Sequence, residues 1–154
     1  MEEIINPISV ELLERELTSE KFLRKTNKGN NEIYVVTAHN APNVMQEIAR
    51  LREISFRSAG GGTGLSLDID EYDTCENPYL QLIVWNPEAR EIIGGYRYIL
   101  GKDVSFDEQG SPKLTSSHLF SYSEMFIKVY LLYPLELGRS FVRPEYHSSK
   151  LGAL

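Results

Sequence analysis

The sequence has few of the features that mark disulfide-bonded, zinc-stabilised or membrane-spanning proteins. Cys75 is the only cysteine among 154 residues, which excludes an intramolecular disulfide and a cysteine-rich zinc site. No apolar run approaches the roughly 20 residues that a membrane-spanning helix needs. The acidic start shows no signal-peptide pattern. We therefore expect a cytoplasmic protein that contacts a membrane at most peripherally.

Positive charge and metal-ligand patterns are scarce as well. Lys and Arg number 16 against 22 Asp and Glu, giving a formal net charge of -6, which argues against general nucleic-acid binding. The histidines His39, His118 and His147 lack metal-ligand spacing, and we interpret them as surface or internally hydrogen-bonded residues. No metal is expected. The length and the 42% hydrophobic content suffice for a folded core.

Hydrophobic periodicity predicts an alternation of helices and strands. The predicted elements are a helix after Ser9 extended by Phe22 and Leu23, a strand at 33–38, a helix at 42–58, paired strands at 79–85 and 91–100, a helix at 121–132 and a strand at 134–142. This order predicts a mixed α/β fold with a largely antiparallel sheet and flanking helices. We divide the chain into an N-terminal helical segment, 1–31, and a main domain, 32–154.

Two segments carry a functional and a structural interpretation side by side. The glycine run at 60–64 lacks the Lys-Ser/Thr of a phosphate loop, so we interpret it as a flexible connection, with a mobile lid as the alternative. Four aromatic residues at helical spacing favour core packing over an acyl-chain pocket. They are Tyr122, Phe126, Tyr130 and Tyr133.

Charged residues interrupt several otherwise apolar segments. Burying a charge is costly unless it is paired, so these positions predict an ion-pair network. The alternative is that each charge points to solvent from the outer face of its element. The residues are Arg52, Arg97, Arg139, Asp68, Asp70, Asp73 and Glu136.

The last predicted strand carries two of these charges at an odd spacing. Glu136 and Arg139 would point to opposite faces of a regular strand. A β-bulge at Gly138 would bring them to one side and leave a backbone N–H unpaired. Such an N–H could stabilise the oxyanion formed from a thioester carbonyl.

Five blocks of the sequence occur in an order that resembles a known enzyme family. They are Leu51-Arg52 with Phe56, the acidic run 68–73, Tyr79-Leu80, the stretch 94–97 and the stretch 136–142. This pattern resembles the acyl-homoserine-lactone synthases and, more closely, the hemolysin-like N-acyltransferases that make ornithine and glycine lipids. Both groups belong to the GNAT superfamily, and the resemblance covers about residues 33–149. The glycine run stands where the synthases carry a tryptophan, which favours the lipid-forming branch.

The resemblance implies an enzyme of bacterial lipid biosynthesis. The implied reaction transfers a fatty acyl group, or a 3-hydroxyacyl group, from acyl carrier protein or acyl-CoA to the α-amine of an amino acid, with no tightly bound cofactor. Glu136 would act as the base and Arg139 would orient it or bind the acceptor. The implied acceptor-binding cluster comprises Arg52, Phe56, Asp68, Asp70, Asp73 and Arg97. Ser148, Ser149 and Lys150 are expected beside the phosphate of the thioester cosubstrate.

The resemblance also predicts that the chain is the N-terminal part of a GNAT-like fold, incomplete at its C-terminus. Because half of the thioester cleft would then be absent, a noncatalytic interaction module that keeps the fold and the ion cluster is one alternative. An acyl-homoserine-lactone synthase is the other. An exposed sheet edge at the incomplete cleft makes a homo-oligomer plausible.

Overall fold

The computed structural model describes residues 1–147, which form a five-stranded sheet with helices packed against it. All four strand pairs are antiparallel, and the strand order is β1-β2-β3-β4-β5. This arrangement confirms the predicted mixed α/β fold with an antiparallel sheet. The elements are α1 (Val10–Glu16), β1 (Phe22–Lys25), β2 (Glu32–Val36), α2 (Pro42–Ser58), α3 (Glu71–Thr74), β3 (Leu80–Asn86), β4 (Glu91–Leu100) and β5 (Leu135–Val142). No helix in this part of the chain is long and apolar enough to cross a bilayer.

Helix α2 has the bounds that its sequence predicts, and it covers one face of the sheet. Its apolar residues Val44, Ile48 and Leu51 are buried against sheet residues such as Ile83 and Phe141. Burial of this stripe accounts for the helix, because its periodicity of 3.6 residues places the apolar side chains on one side.

The start of α2 is capped by a residue from α1. Ala41, which precedes the helix, has no side chain that can accept a hydrogen bond. The Glu16 carboxylate accepts instead from the backbone N–H groups of Asn43, at 3.1 Å, and Val44, at 2.9 Å. These N–H groups have no partner within the helix, and a carboxylate is favoured at this positive end. Glu16 therefore fixes α1 against α2.

The predicted extension of the first helix is wrong. Phe22 and Leu23 do not extend the first helix but belong to strand β1, where backbone pairing with β2 replaces helical hydrogen bonds. The turn at residues 27–31, rich in asparagine and glycine, reverses the chain so that β1 and β2 pair as antiparallel strands. The division of the chain at residue 31 stays a prediction.

The predicted helix at 121–132 is shorter and wider than its pattern suggests. It begins at residue 124 and continues as a π-helical turn, Phe126–Tyr130. A π turn has more residues per turn than an α-helix, so the side chains drift away from the buried face. Tyr122 and Phe126 stack with ring centroids 5.0 Å apart, whereas Tyr130 and Tyr133 are exposed rather than in the core.

Strand β5 contains a β-bulge, one residue beyond the predicted position. Gly138 pairs with Arg97 and Phe141 pairs with Gly95, so two residues of β5 oppose the single residue Tyr96. Arg139, within the bulge, has φ of 52°, in the left-handed region that non-glycine residues rarely adopt. The extra residue lets Arg139 join the side chains on the α2 side of the sheet. The predicted oxyanion role of a backbone N–H there stays a prediction.

The glycine run after α2 is held in place by a buried carboxylate. Glu53 accepts hydrogen bonds from Arg57 Nε at 2.6 Å, from the Thr63 N–H at 2.9 Å and from the Gly64 N–H at 2.8 Å. Gly62 has φ of 93°, and a Cβ there would lie 2.9 Å from Arg57 Cγ. Burial would raise the pKa of Glu53, but the hydrogen bonds from Arg57 and Thr63 hold it at about 2. The run is therefore an anchored loop and not the flexible connection that its composition suggests.

Replacing Glu53 with Gln is expected to destabilise the fold by about 2 kcal/mol near neutral pH, because charge-assisted hydrogen bonds are lost. The pKa of Glu53 is lower in the folded state than in the unfolded state. The difference in unfolding free energy between the unaltered protein and the variant is therefore full above pH 4.5 and shrinks as pH falls toward 2. Urea unfolding across this pH range measures it. Glu20→Gln, at an exposed position, is the matched control. Equal stability of both variants would contradict the anchoring role.

Candidate active site

The centre of the site is a carboxylate shared by two buried arginines. Asp73, in helix α3, lies 3.1 Å from Arg52 Nη1 of α2 and 3.1 Å from Arg97 Nη1 of β4. Arg52 and Asp73 are fully buried, and Arg97 is 2% exposed. Gln81 of β3 donates to Asp73 at 2.9 Å and accepts from Arg52. These contacts tie the helix, the sheet and the acidic segment together.

A second layer of charge lies nearer the surface. Asp70 Oδ1 is 2.7 Å from Arg97 Nη1, and Asp70 Oδ2 is 3.2 Å from Arg139 Nη2. Arg139 also pairs with buried Asp68. Burial would raise the pKa of Asp70, but the hydrogen bond from Arg97 and the positive charges of Arg97 and Arg139 together outweigh it and lower that pKa. For Asp68, burial outweighs the attraction of Arg139 and raises the pKa.

Three members of these layers, Asp70, Arg97 and Arg139, form part of the wall of an open polar pocket of about 480 Å³. Its lining comprises Asp70, Glu71, Tyr72, Arg97, Thr115, His118, Leu119, Gly138 and Arg139. The Arg97 Nε–H is buried and has no hydrogen-bond partner within the described residues. Arg97 Nε lies near Gly138, since a Cβ built on that glycine would stand 3.9 Å from it. Arg52 Nε is likewise buried without a partner. An unpaired buried donor of this kind is costly unless a ligand oxygen satisfies it.

Glu136 lies behind one edge of this pocket and is saturated with hydrogen bonds. It accepts from the Tyr79 hydroxyl and from the backbone N–H and hydroxyl groups of Thr115 and Ser116. The Ser116 and Thr115 N–H groups lie 2.9 and 3.1 Å from its oxygens. Burial would raise the pKa of Glu136, but the hydrogen bonds from Ser116 and Tyr79 outweigh it and lower that pKa. A carboxylate held in this way is stabilised as an anion and is a weak base.

An apolar pocket of about 220 Å³ lies on the other side of Glu136. The short 3-10 helix Thr115–His118 separates the two pockets, because Thr115 lines the polar one and Ser116 lines the apolar one. The apolar lining includes Ile99, Leu114, Tyr122, Phe126, Leu131 and Leu135. The arrangement offers a charged compartment and an apolar compartment with one carboxylate between them.

The predicted ion-pair network is confirmed for the three arginines and the three aspartates. The prediction is wrong for Glu136, which forms no ion pair within the described residues because uncharged donors surround it. The two arginines Arg52 and Arg97 are buried rather than solvent-facing, and they converge with acids from other segments. Phe56 does not join this cluster. It is partly buried and packs against the hydrophobic core between α2 and the sheet. The residues predicted to hold a cosubstrate phosphate, Ser148, Ser149 and Lys150, lie outside the described residues. The catalytic and binding roles of all these residues stay predictions.

Sequence reasoning missed several residues of the polar pocket, among them Tyr72, Thr115 and His118. Tyr72 stands inside the acidic run, so its position there was a usable signal. Thr115 and His118 lie in a polar stretch with no motif. Ser116, between them, is hydrogen-bonded to Glu136, which is 20 residues away in the sequence. No local pattern indicates that contact.

Comparison with known proteins identifies the family of this fold. Residues 51–154 match the model of the acetyltransferase (GNAT) domain. The chain belongs to the GNAT family. Two similar proteins, each named glycine N(alpha)-acyltransferase, are from Bacteroides thetaiotaomicron, 67% identical over 153 residues, and Phocaeicola vulgatus, 63% identical over 153 residues. The matches cover 99% of this GNAT chain but 45% and 47% of those relatives, so it spans about half their length. No solved structure matches the chain.

The GNAT assignment agrees with a site that works through charges and hydrogen bonds. Within residues 1–147, no group of three or more His, Cys, Asp or Glu side chains is placed to hold a metal ion. Acyl transfer between a thioester and an amine needs a proton acceptor, stabilisation of an oxyanion and positioning of the two reactants. The two adjoining pockets provide one charged surface and one apolar surface.

Asp73→Asn is expected to destabilise the protein by about 3 kcal/mol, because both buried guanidinium groups lose their shared carboxylate. Thermal and urea unfolding measure the change. The matched control is Asp103→Asn, which removes an exposed ion pair with Lys102 and is expected to cost less than about 1 kcal/mol. A similar small effect for both variants would show that Asp73 is not the anchor of the network.

Proposed function

We propose that the protein is an N-acyltransferase that joins a fatty acyl group, carried as a thioester, to the α-amine of a small amino acid. The observation that carries the proposal is a charged pocket lined by Asp70, Arg97 and Arg139 that adjoins an apolar one. The two relatives named glycine N(alpha)-acyltransferase support the same reaction and favour glycine as the acceptor.

The polar pocket fits the two charges of an amino-acid zwitterion. A carboxylate oxygen placed beside Gly138 would accept from Arg97 Nε, and Arg139 would add a second cation, since its side chain is 30% exposed. Guanidinium groups suit carboxylates because their N–H groups form a planar fork. Asp70, 28% exposed, would attract the ammonium group. The bare backbone of Gly138 leaves this place open.

The apolar pocket fits the other reactant. Its aliphatic and aromatic lining suits the first carbons of an acyl chain, and burying apolar surface there contributes about 25 cal/mol per Å². Glu136 and the turn it holds would then lie between the acyl carbonyl and the amine. We propose acyl carrier protein as the donor and aminolipid synthesis in the cytoplasm as the setting, with a 3-hydroxyacyl chain as one form of the group transferred. These points rest on the family resemblance.

The decisive assay incubates the protein with acyl carrier protein loaded with a long acyl or 3-hydroxyacyl chain, and with glycine, ornithine or serine. Mass spectrometry of the product is expected to show an N-acyl amino acid, with glycine preferred. The same chain presented as acyl-CoA identifies the preferred carrier. Absence of any amide product with both carriers would contradict the proposal and favour a noncatalytic module.

Gly138→Ala tests the carboxylate site without disturbing the fold. The added methyl group makes ordinary contact with Arg97 at 3.9 Å, yet it occupies the place where the ligand oxygen would lie. Losing that charge-assisted hydrogen bond is expected to raise KM for glycine about tenfold. Gly61→Ala, whose Cβ has only a 3.5 Å contact with Phe56 O, is the control. An unchanged KM in Gly138→Ala would remove Arg97 Nε from the acceptor site.

A further inference from the structure

We propose that His118 accepts the proton from the ammonium group of the acceptor, and that Glu136 positions the turn that carries His118. The inference rests on the proposed function and assigns the proton acceptor within that site. It departs from the expectation that Glu136 is the base. Three features carry it: the position of His118, its contact with Tyr72, and the saturation of Glu136.

His118 lies in the wall of the polar pocket. It ends the 3-10 helix Thr115–His118 and lines the same pocket as Asp70, Arg97 and Arg139. Its side chain is exposed to that pocket. An amine bound between Asp70 and the arginines would therefore face the imidazole.

A tyrosine holds the imidazole in place. His118 Nε2 lies 2.9 Å from the Tyr72 hydroxyl, and the two rings meet edge to face with centroids 5.9 Å apart. Tyr72 is itself fixed, because the Arg97 guanidinium carbon lies 5.7 Å from the centre of its ring. The residue that binds the carboxylate and the residue that takes the proton are thus coupled through one aromatic side chain.

The Tyr72 hydroxyl can serve both protonation states of the imidazole. Besides His118, it has a second acceptor, the Leu114 carbonyl oxygen, at 3.3 Å. When the hydroxyl hydrogen points to Leu114, His118 Nε2 donates to the tyrosine oxygen and Nδ1 keeps a lone pair. Nδ1 has no hydrogen-bond partner among residues 1–147. That nitrogen is available to a substrate proton.

Glu136 lacks the properties that this role needs. Its oxygens are occupied by donors from Tyr79, Thr115 and Ser116, and it lines the apolar pocket instead of the polar one. The same contacts give it another task. By binding the N–H groups that begin the Thr115–His118 turn, Glu136 fixes the place from which His118 reaches the polar pocket.

The proposed step balances in atoms and charge. His118 Nδ1 takes one proton from the ammonium group, and the freed lone pair of the amine forms a bond to the thioester carbonyl carbon. When the tetrahedral intermediate collapses, the C–S bond breaks and its electron pair leaves on sulfur. The thiolate takes a second proton from the nitrogen, which gives an amide and a thiol. The imidazolium returns its proton to solvent, so one proton is released in each turnover.

His118→Gln removes the proton acceptor and retains a polar side chain. We expect kcat to fall about 100-fold or more, with KM for glycine changed less than threefold, since general base catalysis contributes roughly 10²–10⁴-fold. The matched control is His39→Gln, an exposed histidine whose Nε2 is also hydrogen-bonded, to Cys75 O at 2.8 Å, away from the pocket. Tyr72→Phe, which keeps the ring over Arg97, should lower kcat about tenfold.

Chemical rescue separates a proton-transfer role from a structural one. Added imidazole should restore a measurable part of kcat to His118→Ala and should leave the unaltered protein and His39→Gln unaffected. Equal kcat for His118→Gln and His39→Gln, or loss of activity in His118→Ala without rescue, would overturn the assignment while the proposed function stands. If the unaltered protein forms no amide with any donor, both the assignment and the proposed function fail.

Discussion

The burial of two guanidinium groups between helix α2 and the sheet constrains the rest of this structure. Arg52 and Arg97 come from different elements, and neither could be enclosed without a carboxylate nearby. Asp73 supplies that charge to both, so the acidic segment must lie across the sheet at this point. Asp70 caps the short helix that carries Asp73, and its carboxylate is thereby held beside Arg97 and Arg139. The ion pairs that stabilise the fold therefore also determine the shape of the pocket.

The cluster separates into a sealed part and an accessible part. Arg52, Asp73 and Gln81 lie in the interior and have no surface to offer a ligand. Asp73 and Gln81 bind the Nη groups of Arg52, and its Nε–H is left without a partner there. Arg97 belongs to both parts, because its Nη1 is committed to the acids while its Nε–H remains without a partner beside Gly138. A stabilising network can therefore present one unsatisfied donor in a fixed direction. Preorganised donors of this kind bind a ligand with little loss of side-chain entropy.

The bulge in β5 and the Glu136 hydrogen bonds place the two pockets side by side. The bulge turns Arg139 toward the acids, and Glu136, in the regular part of the strand, holds the turn that divides the polar pocket from the apolar one. A charged compartment and an apolar compartment thus adjoin each other. The relatives named glycine N(alpha)-acyltransferase are about twice as long as this chain, so these compartments are described for the half that the chain spans.

The sequence by itself determined the elements whose patterns are local: α2, with its proline start and apolar stripe, and strands β3 to β5. It also indicated that its charged residues pair, because a charge in an apolar segment implies a partner. Only the tertiary structure decided which partners meet. Glu136 and Tyr79 are 57 residues apart, and Arg139 and Asp68 are 71 apart. Such contacts depend on strand register, on the left-handed residue in the bulge and on the π turn, none of which leaves a periodic signal in the sequence. His118 therefore resembles an ordinary surface histidine in the sequence, and only the fold places it in the same pocket as Arg97 and Arg139.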